Sequence, residues 1–229
     1  MLLSDRRRFL AGAAASALIA PGIARAAQGR LAFDILRDGN PIGTHVLSFD
    51  RAGDRLETTI AIDILVKIAF VPVYRYTHRN REVYDGDQLV SMASETDDNG
   101  SAYRVNVRQD SAGLLVDGSS GVATVPAATL PTTYWKPRTV QETRWIDTQR
   151  GSIIEGRSTL VGTETVLVGN EAVACERYAL RGDLDLDLWY GSVGWAKLGF
   201  QIQGNDITYR RRPESDVASL PQAVLSGRS

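Results

Sequence analysis

Arg30-Leu31-Ala32-Phe33-Asp34-Ile35-Leu36-Arg37-Asp38-Gly39-Asn40 decides the fold class of this 229-residue chain. Leu31, Phe33 and Ile35 recur at every second position, the period that gives a strand one apolar face. Asp38-Gly39-Asn40 then reads as a turn, and Ile42 to Phe49 returns. Ala52-Gly53-Asp54 turns the chain again before Arg55 to Val66, where Ile60, Ile62 and Ile64 share a face. Asp85-Gly86, Asn99-Gly100, Gly169-Asn170 and Gly204-Asn205 repeat the signal further on. Such pairs suit tight hairpins because a type I′ turn needs positive φ at both central residues.

The turns separate short segments, as expected of an all-β sandwich or barrel. No sustained 3.6-residue apolar period appears after residue 26. The prediction is one antiparallel β domain over residues 28–211, a strongly curved sheet, incomplete barrel or sandwich of about ten or more short strands. Residues 212–229 read as a flexible tail. Val125 to Pro137 breaks the rhythm, since Pro126, Pro131 and Pro137 argue against a central strand. It reads as a long crossover or flap with room for one helical turn, and so as a candidate lid; a connection whose aromatics plug the core edge is the simpler reading.

The first 26 residues read as an address. Arg6 and Arg7, followed by Phe9-Leu10 and an uncharged run to Ala20, resemble a twin-arginine export signal, with Ala24-Arg25-Ala26 placing cleavage after Ala26. The expected destination is the bacterial periplasm or medium, with the twin-arginine translocase as transient partner. The apolar run is too short and too rich in alanine to anchor the chain in a bilayer. Removing this segment takes four arginines and one aspartate, so the net charge moves from −1 to −4. A mildly acidic chain without a basic cluster has no footprint for nucleic acid, and charge-driven membrane recruitment is not expected either.

Cys175 is the single cysteine, so no internal disulfide forms; its apolar neighbours predict a buried small side chain. Together with only two histidines, His45 and His78, it cannot build a Cys/His zinc or iron–sulfur site, and no cofactor is predicted.

Several landmarks in order, Phe33-Asp34-Ile35 with Asp38-Gly39 and Ile42-Gly43, Val73-Tyr74-Arg75-Tyr76, Asp98-Asn99-Gly100, Pro131 to Trp135, Ile146-Asp147-Thr148 to Gly151, and Leu188-Trp189-Tyr190, resemble domain-of-unknown-function family 6134. These are secreted bacterial proteins distantly similar to family 3108. The resemblance implies a secreted β-rich domain and carries no catalytic residue. Gly191 stands where such proteins often have an acid after the Trp-Tyr pair.

Three patterns invite chemistry. Asp183, Asp185 and Asp187 alternate with Leu184, Leu186 and Leu188. Three carboxylates on one strand face could attract a cation, but a straight strand splays them, and a solvated face over a leucine core explains the pattern. Glu95 to Gly100 lacks the spacing of a calcium loop and reads as a hairpin. Tyr74, Tyr76 and His78 share a face if Val71 to Thr77 is a strand, with Glu82 close behind. An imidazole and a carboxylate could do acid–base work; a histidine capping an aromatic sheet face is the simpler reading.

No catalytic or metal-ligating set is predicted. The ligand-binding candidates are Tyr74, Tyr76, His78, Tyr134, Trp135 and Trp189. The leading functional expectation is a non-catalytic carrier of a small apolar ligand, with the segment around Trp135 covering the opening. An envelope assembly protein that binds another protein is the alternative, and an enzyme using His78 and a carboxylate is the third.

Overall fold

The computed structural model describes residues 27–213. The predicted leader with its cleavage point, and the tail beyond Pro213, lie outside the described residues.

Alternation becomes fifteen strands: β1 (Ala27–Arg37), β2 (Asn40–Ala52), β3 (Arg55–Ile68), β4 (Val71–Asp85), β5 (Gln88–Asp98), β6 (Ser101–Asp110), β7 (Gly113–Gly118), β8 (Gly121–Val125), β9 (Leu130–Pro131), β10 (Arg144–Ile146), β11 (Ile153–Val168), β12 (Glu171–Gly182), β13 (Leu186–Gly191), β14 (Gly194–Ile202) and β15 (Asn205–Arg211). A 310 turn (Pro137–Gln141) lies between β9 and β10, and no α-helix occurs among the described residues.

β1 to β8 run as an up-and-down meander, and β10 to β15 as a second. β15 pairs antiparallel with β1, Phe33 opposite Arg211, which joins both meanders into one sheet with β8 and β9 outermost. Those two strands do not pair. The ends nevertheless meet, because the Ser120 amide donates to the Arg150 carbonyl at 3.0 Å and the Ser94 hydroxyl to the Thr148 carbonyl at 2.5 Å. The sheet therefore coils around its own inner face, an incomplete barrel. Short-range turn chemistry sets the hairpins: Asp38-Gly39, Asn99-Gly100 and Gln203-Gly204 all have positive φ at both positions. The last lies one residue before the predicted Gly204-Asn205. Asn205 begins β15, and its amide donates to the Ile202 and Gln203 carbonyls across the turn.

The inner face carries the main core, including Phe33, Leu47, Phe49, Tyr84, Trp145 and Trp195. The proline-rich segment belongs to it. Leu130 and Pro131 pair parallel with Trp145 and Ile146, and Trp135 is 4 % exposed against Phe49 and Tyr84. Of the two readings, lid and plug, the segment takes the second, because its apolar side chains insert where the curved sheet leaves space. Arg212, assigned to the tail by composition, is still held to β1: its amide donates to the Ala32 carbonyl and its guanidinium to Asp34.

A smaller cluster forms on the outer face from Val166, Val173, Cys175, Trp189 and Ala196. A register shift between Leu160 and Gly162 marks a bulge in the long β11–β12 hairpin, whose far end packs on β14 and β15. Bulges bend strands in this way. This covering corrects the prediction of a solvated aspartate face at Asp187, while Asp183 and Asp185 are exposed as predicted. Asp187 is buried and accepts from Arg177 at 2.5 and 2.9 Å and from Arg181 at 2.8 Å. Cys175 is buried, as its neighbours predict.

Gly43 tests how tightly adjacent strands are held. A Cβ there would meet the Asp63 carbonyl oxygen at 2.1 Å and Ile64 Cα at 2.9 Å. Both contacts are backbone, so Gly43→Ala should destabilise by about 1–3 kcal/mol in a chemical denaturation series. An unchanged midpoint would mean that the β2–β3 register relaxes freely.

Candidate functional site

One strand supplies most of the predicted site. Along β4 the alternation places Tyr74, Tyr76, His78, Asn80, Glu82 and Tyr84 on the inner face, from the rim of the coil towards its centre. β2 brings His45 opposite Ile62, and Ile62 lies opposite His78. β5 adds Thr96 and Asp98, β15 adds Tyr209, and the segment after β10 adds Gln149.

At the rim the Tyr74 hydroxyl donates to Asp98 at 2.8 Å, and the Gln149 amide donates to the other Asp98 oxygen at 3.3 Å. Tyr74, Tyr76 and Tyr209 are half-buried. Burial first, then neighbouring acids and phenols, pushes the Tyr74 and Tyr76 hydroxyls well above the ordinary tyrosine range. Deeper, the Tyr76 and His78 rings stack at 6.4 Å, and His78 Nδ1 lies 2.8 Å from the Thr96 hydroxyl. His45 stands edge-on to Trp195 at 5.5 Å and to Tyr209 at 5.7 Å, with neither ring nitrogen hydrogen-bonded to protein. Burial lowers His45 to about 3, helped by His78, and lowers His78 to about 4, helped by Arg79. Near neutral pH both rings are therefore uncharged. The result is an aromatic cup with two acids at its edge: Asp98, tied to Tyr74 and Gln149, and Asp147, which accepts from the Gln149 and Arg150 backbone amides and the Ser152 hydroxyl. Such a surface can accept an uncharged, largely apolar molecule with a polar end.

The predicted residues divide three ways. Tyr74, Tyr76, His78 and Tyr134 converge, the last through an edge contact with Trp195 at 6.1 Å. Trp135 belongs to the interior below them and fills the space assigned to a ligand. Trp189 is a correction. It sits on the outer face, donating to Glu164 at 2.8 Å beneath Lys197, because β13 turns Leu188 and Tyr190 inward and therefore Trp189 outward. His45 and Tyr209 were missed. The parity of His45 with Leu47 and Phe49 could have revealed the first; the second depends on long-range pairing.

The acid–base pairing of His78 with Glu82 is not assembled. They are four residues apart on one strand, about 13 Å at strand rise, and each has other partners. Glu82 is fully buried and accepts from Asn80 at 2.9 Å, Tyr84 at 2.8 Å and Trp135 at 3.3 Å. Burial raises its carboxyl, although those hydrogen bonds pull the other way. Among the described residues, no cluster of three His, Cys, Asp or Glu side chains could hold a metal ion.

No curated protein matches this sequence. Among solved structures, the chain is similar to a β-barrel-like protein of domain of unknown function DUF1849 from Brucella abortus. The two share 11 % identity and superpose with a TM-score of 0.54, covering 81 % of this chain and 95 % of that one. At that identity the likeness concerns the fold alone. The model of the domain of unknown function DUF6134 matches residues 33–212, and the chain belongs to that family.

Proposed function

We propose that this protein is a non-catalytic, exported binding or carrier domain that takes a small apolar ligand at the open end of its coiled sheet. The observation that carries the reading is the cup itself, where Tyr74, Tyr76 and Tyr209 stay half-buried above two neutral imidazoles. Aromatic rings kept partly open to solvent, with few charges among them, suit an apolar molecule better than an ionic one. The filled interior beneath supports a ligand position at the rim, above Trp135 rather than under it. Export rests on Arg6-Arg7, Phe9-Leu10 and Ala24-Arg25-Ala26. The periplasm is the proposed compartment and the twin-arginine translocase the proposed transient partner.

A fluorescence titration with N-phenyl-1-naphthylamine tests the reading. Wild-type protein should show saturable enhancement, and Tyr76→Ala should weaken it roughly tenfold through lost apolar contact. Tyr209→Ala should act in the same direction, while Trp189→Ala, on the outer face, should leave binding unchanged. Absence of saturable binding, or equal loss in the Trp189 variant, would refute the assignment.

A further inference from the structure

We propose that the β3–β4 hairpin tip is a docking element for anionic lipid bilayers, independent of what the cup binds. The sequence there is Val66-Lys67-Ile68-Ala69-Phe70-Val71-Pro72-Val73. Four large apolar side chains, Ile68, Phe70, Val71 and Val73, are exposed within six positions, and Phe70 is 96 % exposed. Among the described residues, the other exposed large apolar ones, Val122, Leu160, Val161, Leu167 and Ile202, are spread over other hairpins. A cluster of this kind on a soluble face marks an interaction site.

The backbone presents this cluster at the end of an arm. β2 last pairs with β3 at Gly43 and Ile64, and β5 last pairs with β4 at Asp98 and Tyr76. Beyond those positions β3 and β4 pair with each other, from Leu65–Arg75 to Ile68–Val71, and the Asn99 amide donates to the Arg75 carbonyl at 2.8 Å. Four residues of ribbon reach about 13 Å, enough to cross the interfacial zone of a bilayer. At the apex Ala69 and Phe70 have φ of 47° and 72°. Three other hairpins of this chain place glycine at the second such position. A phenylalanine there is held in a sparsely populated conformation, and its ring stands in solvent instead of in a core.

Charge selects the occupant. Lys67 and Arg75 flank the apolar residues and are exposed, and no acid lies between Ile64 and Tyr76. The nearest acids are engaged elsewhere, Asp63 by Arg79 at 2.6 Å and Asp98 by Tyr74 and Gln149. The tip is thus locally cationic on a chain of net negative charge, so the charge-driven membrane recruitment that the overall balance does not predict arises from this local cluster. The ribbon's edges do not favour a protein strand as partner. Pro72 has no amide to offer, Lys67 blunts the opposite edge, and the Arg75 amide is already given to Asn99 Oδ1. What the tip offers is apolar side chains ringed by cations, which suits acyl chains beneath anionic headgroups.

Vesicle co-sedimentation tests this with vesicles of phosphatidylcholine and phosphatidylglycerol and with phosphatidylcholine alone. Wild-type protein should bind the anionic vesicles, and Phe70→Asp should weaken binding by at least about tenfold with an unchanged melting temperature. Lys67→Gln with Arg75→Gln should remove the preference for anionic vesicles. Phe70→Trp should shift its emission to the blue on binding. Equal binding by wild type and Phe70→Asp would overturn the proposal. So would absence of vesicle binding, whether Phe70→Asp then dissolves a self-associated form or releases a co-purifying protein.

Discussion

Between pH 7 and pH 4 the two buried imidazoles should withdraw about 6 kcal/mol from the folded state, a large share of an ordinary domain's stability. The sign follows from the direction of the shifts. Both histidines have folded values below the ordinary 6.5, about 3 for His45 and about 4 for His78. The unfolded chain therefore binds more protons once pH falls below about 6.5, so stability is intact above that value and declines towards pH 4. Glu82 acts in the opposite sense. Its carboxyl is raised by burial, so the folded state holds the extra proton above the ordinary glutamate value, and its contribution weakens as pH rises. The net acid limb is shallower than the histidines alone would give.

His45→Phe separates the two. It keeps an aromatic ring beside Phe33, Trp195 and Tyr209 and removes nitrogens that have no protein partner. Denaturant unfolding at pH 7, 5.5 and 4 should show this variant losing about 3 kcal/mol less than wild type across the range. Parallel curves would mean that His45 takes up its proton in the folded protein over the same pH range as in the unfolded chain, contrary to its burial.

Trp135→Ala should cost about 3–5 kcal/mol, or roughly 6–20 °C in melting temperature for a domain of this size. Two losses combine. The indole leaves a void between Phe49 and Tyr84, whose rings stand 5.2 and 5.5 Å from it. Glu82 also loses one of its donors, the indole at 3.3 Å, in a fully buried setting. Trp135→Phe divides them, since it retains much of the packing and should cost only about 1–3 kcal/mol for the missing hydrogen bond. A mobile lid would behave differently: neither substitution would then change the melting temperature. The same alanine variant should acquire a cavity walled by Phe49 and Tyr84 with Glu82 Oε2 on one side, large enough for a benzene-sized molecule. Wild-type protein, with the indole in place, should not bind one there.

The inward row of β4 shows how far residue order can be read. Tyr74, Tyr76 and His78 share a face because successive side chains alternate along any strand, and that alternation needs no knowledge of partners. Parity also placed Leu186, Leu188 and Tyr190 together, which by itself puts Trp189 with Asp187 on the opposite face. Trp189 has the residue type of a ligand contact but the parity of an outward side chain. His45 was readable by the same rule from Leu47 and Phe49. Tyr209 was not, because β15 reaches the site by pairing with β1 across the whole length of the domain.

Alternating side chains and tight-turn dipeptides were enough to establish an antiparallel β domain, most of its hairpins and the inward row that lines the cup. Both signals are local, acting over two to four residues. Only the tertiary structure decided that the proline-rich segment plugs the interior, that β11 and β12 bury Asp187 and Trp189 on the outer face, and that the β3–β4 tip extends past its neighbours. Each of these depends on how strongly the sheet coils and where distant strands stop pairing. That balance is struck among residues far apart in the chain, so no local pattern contains it.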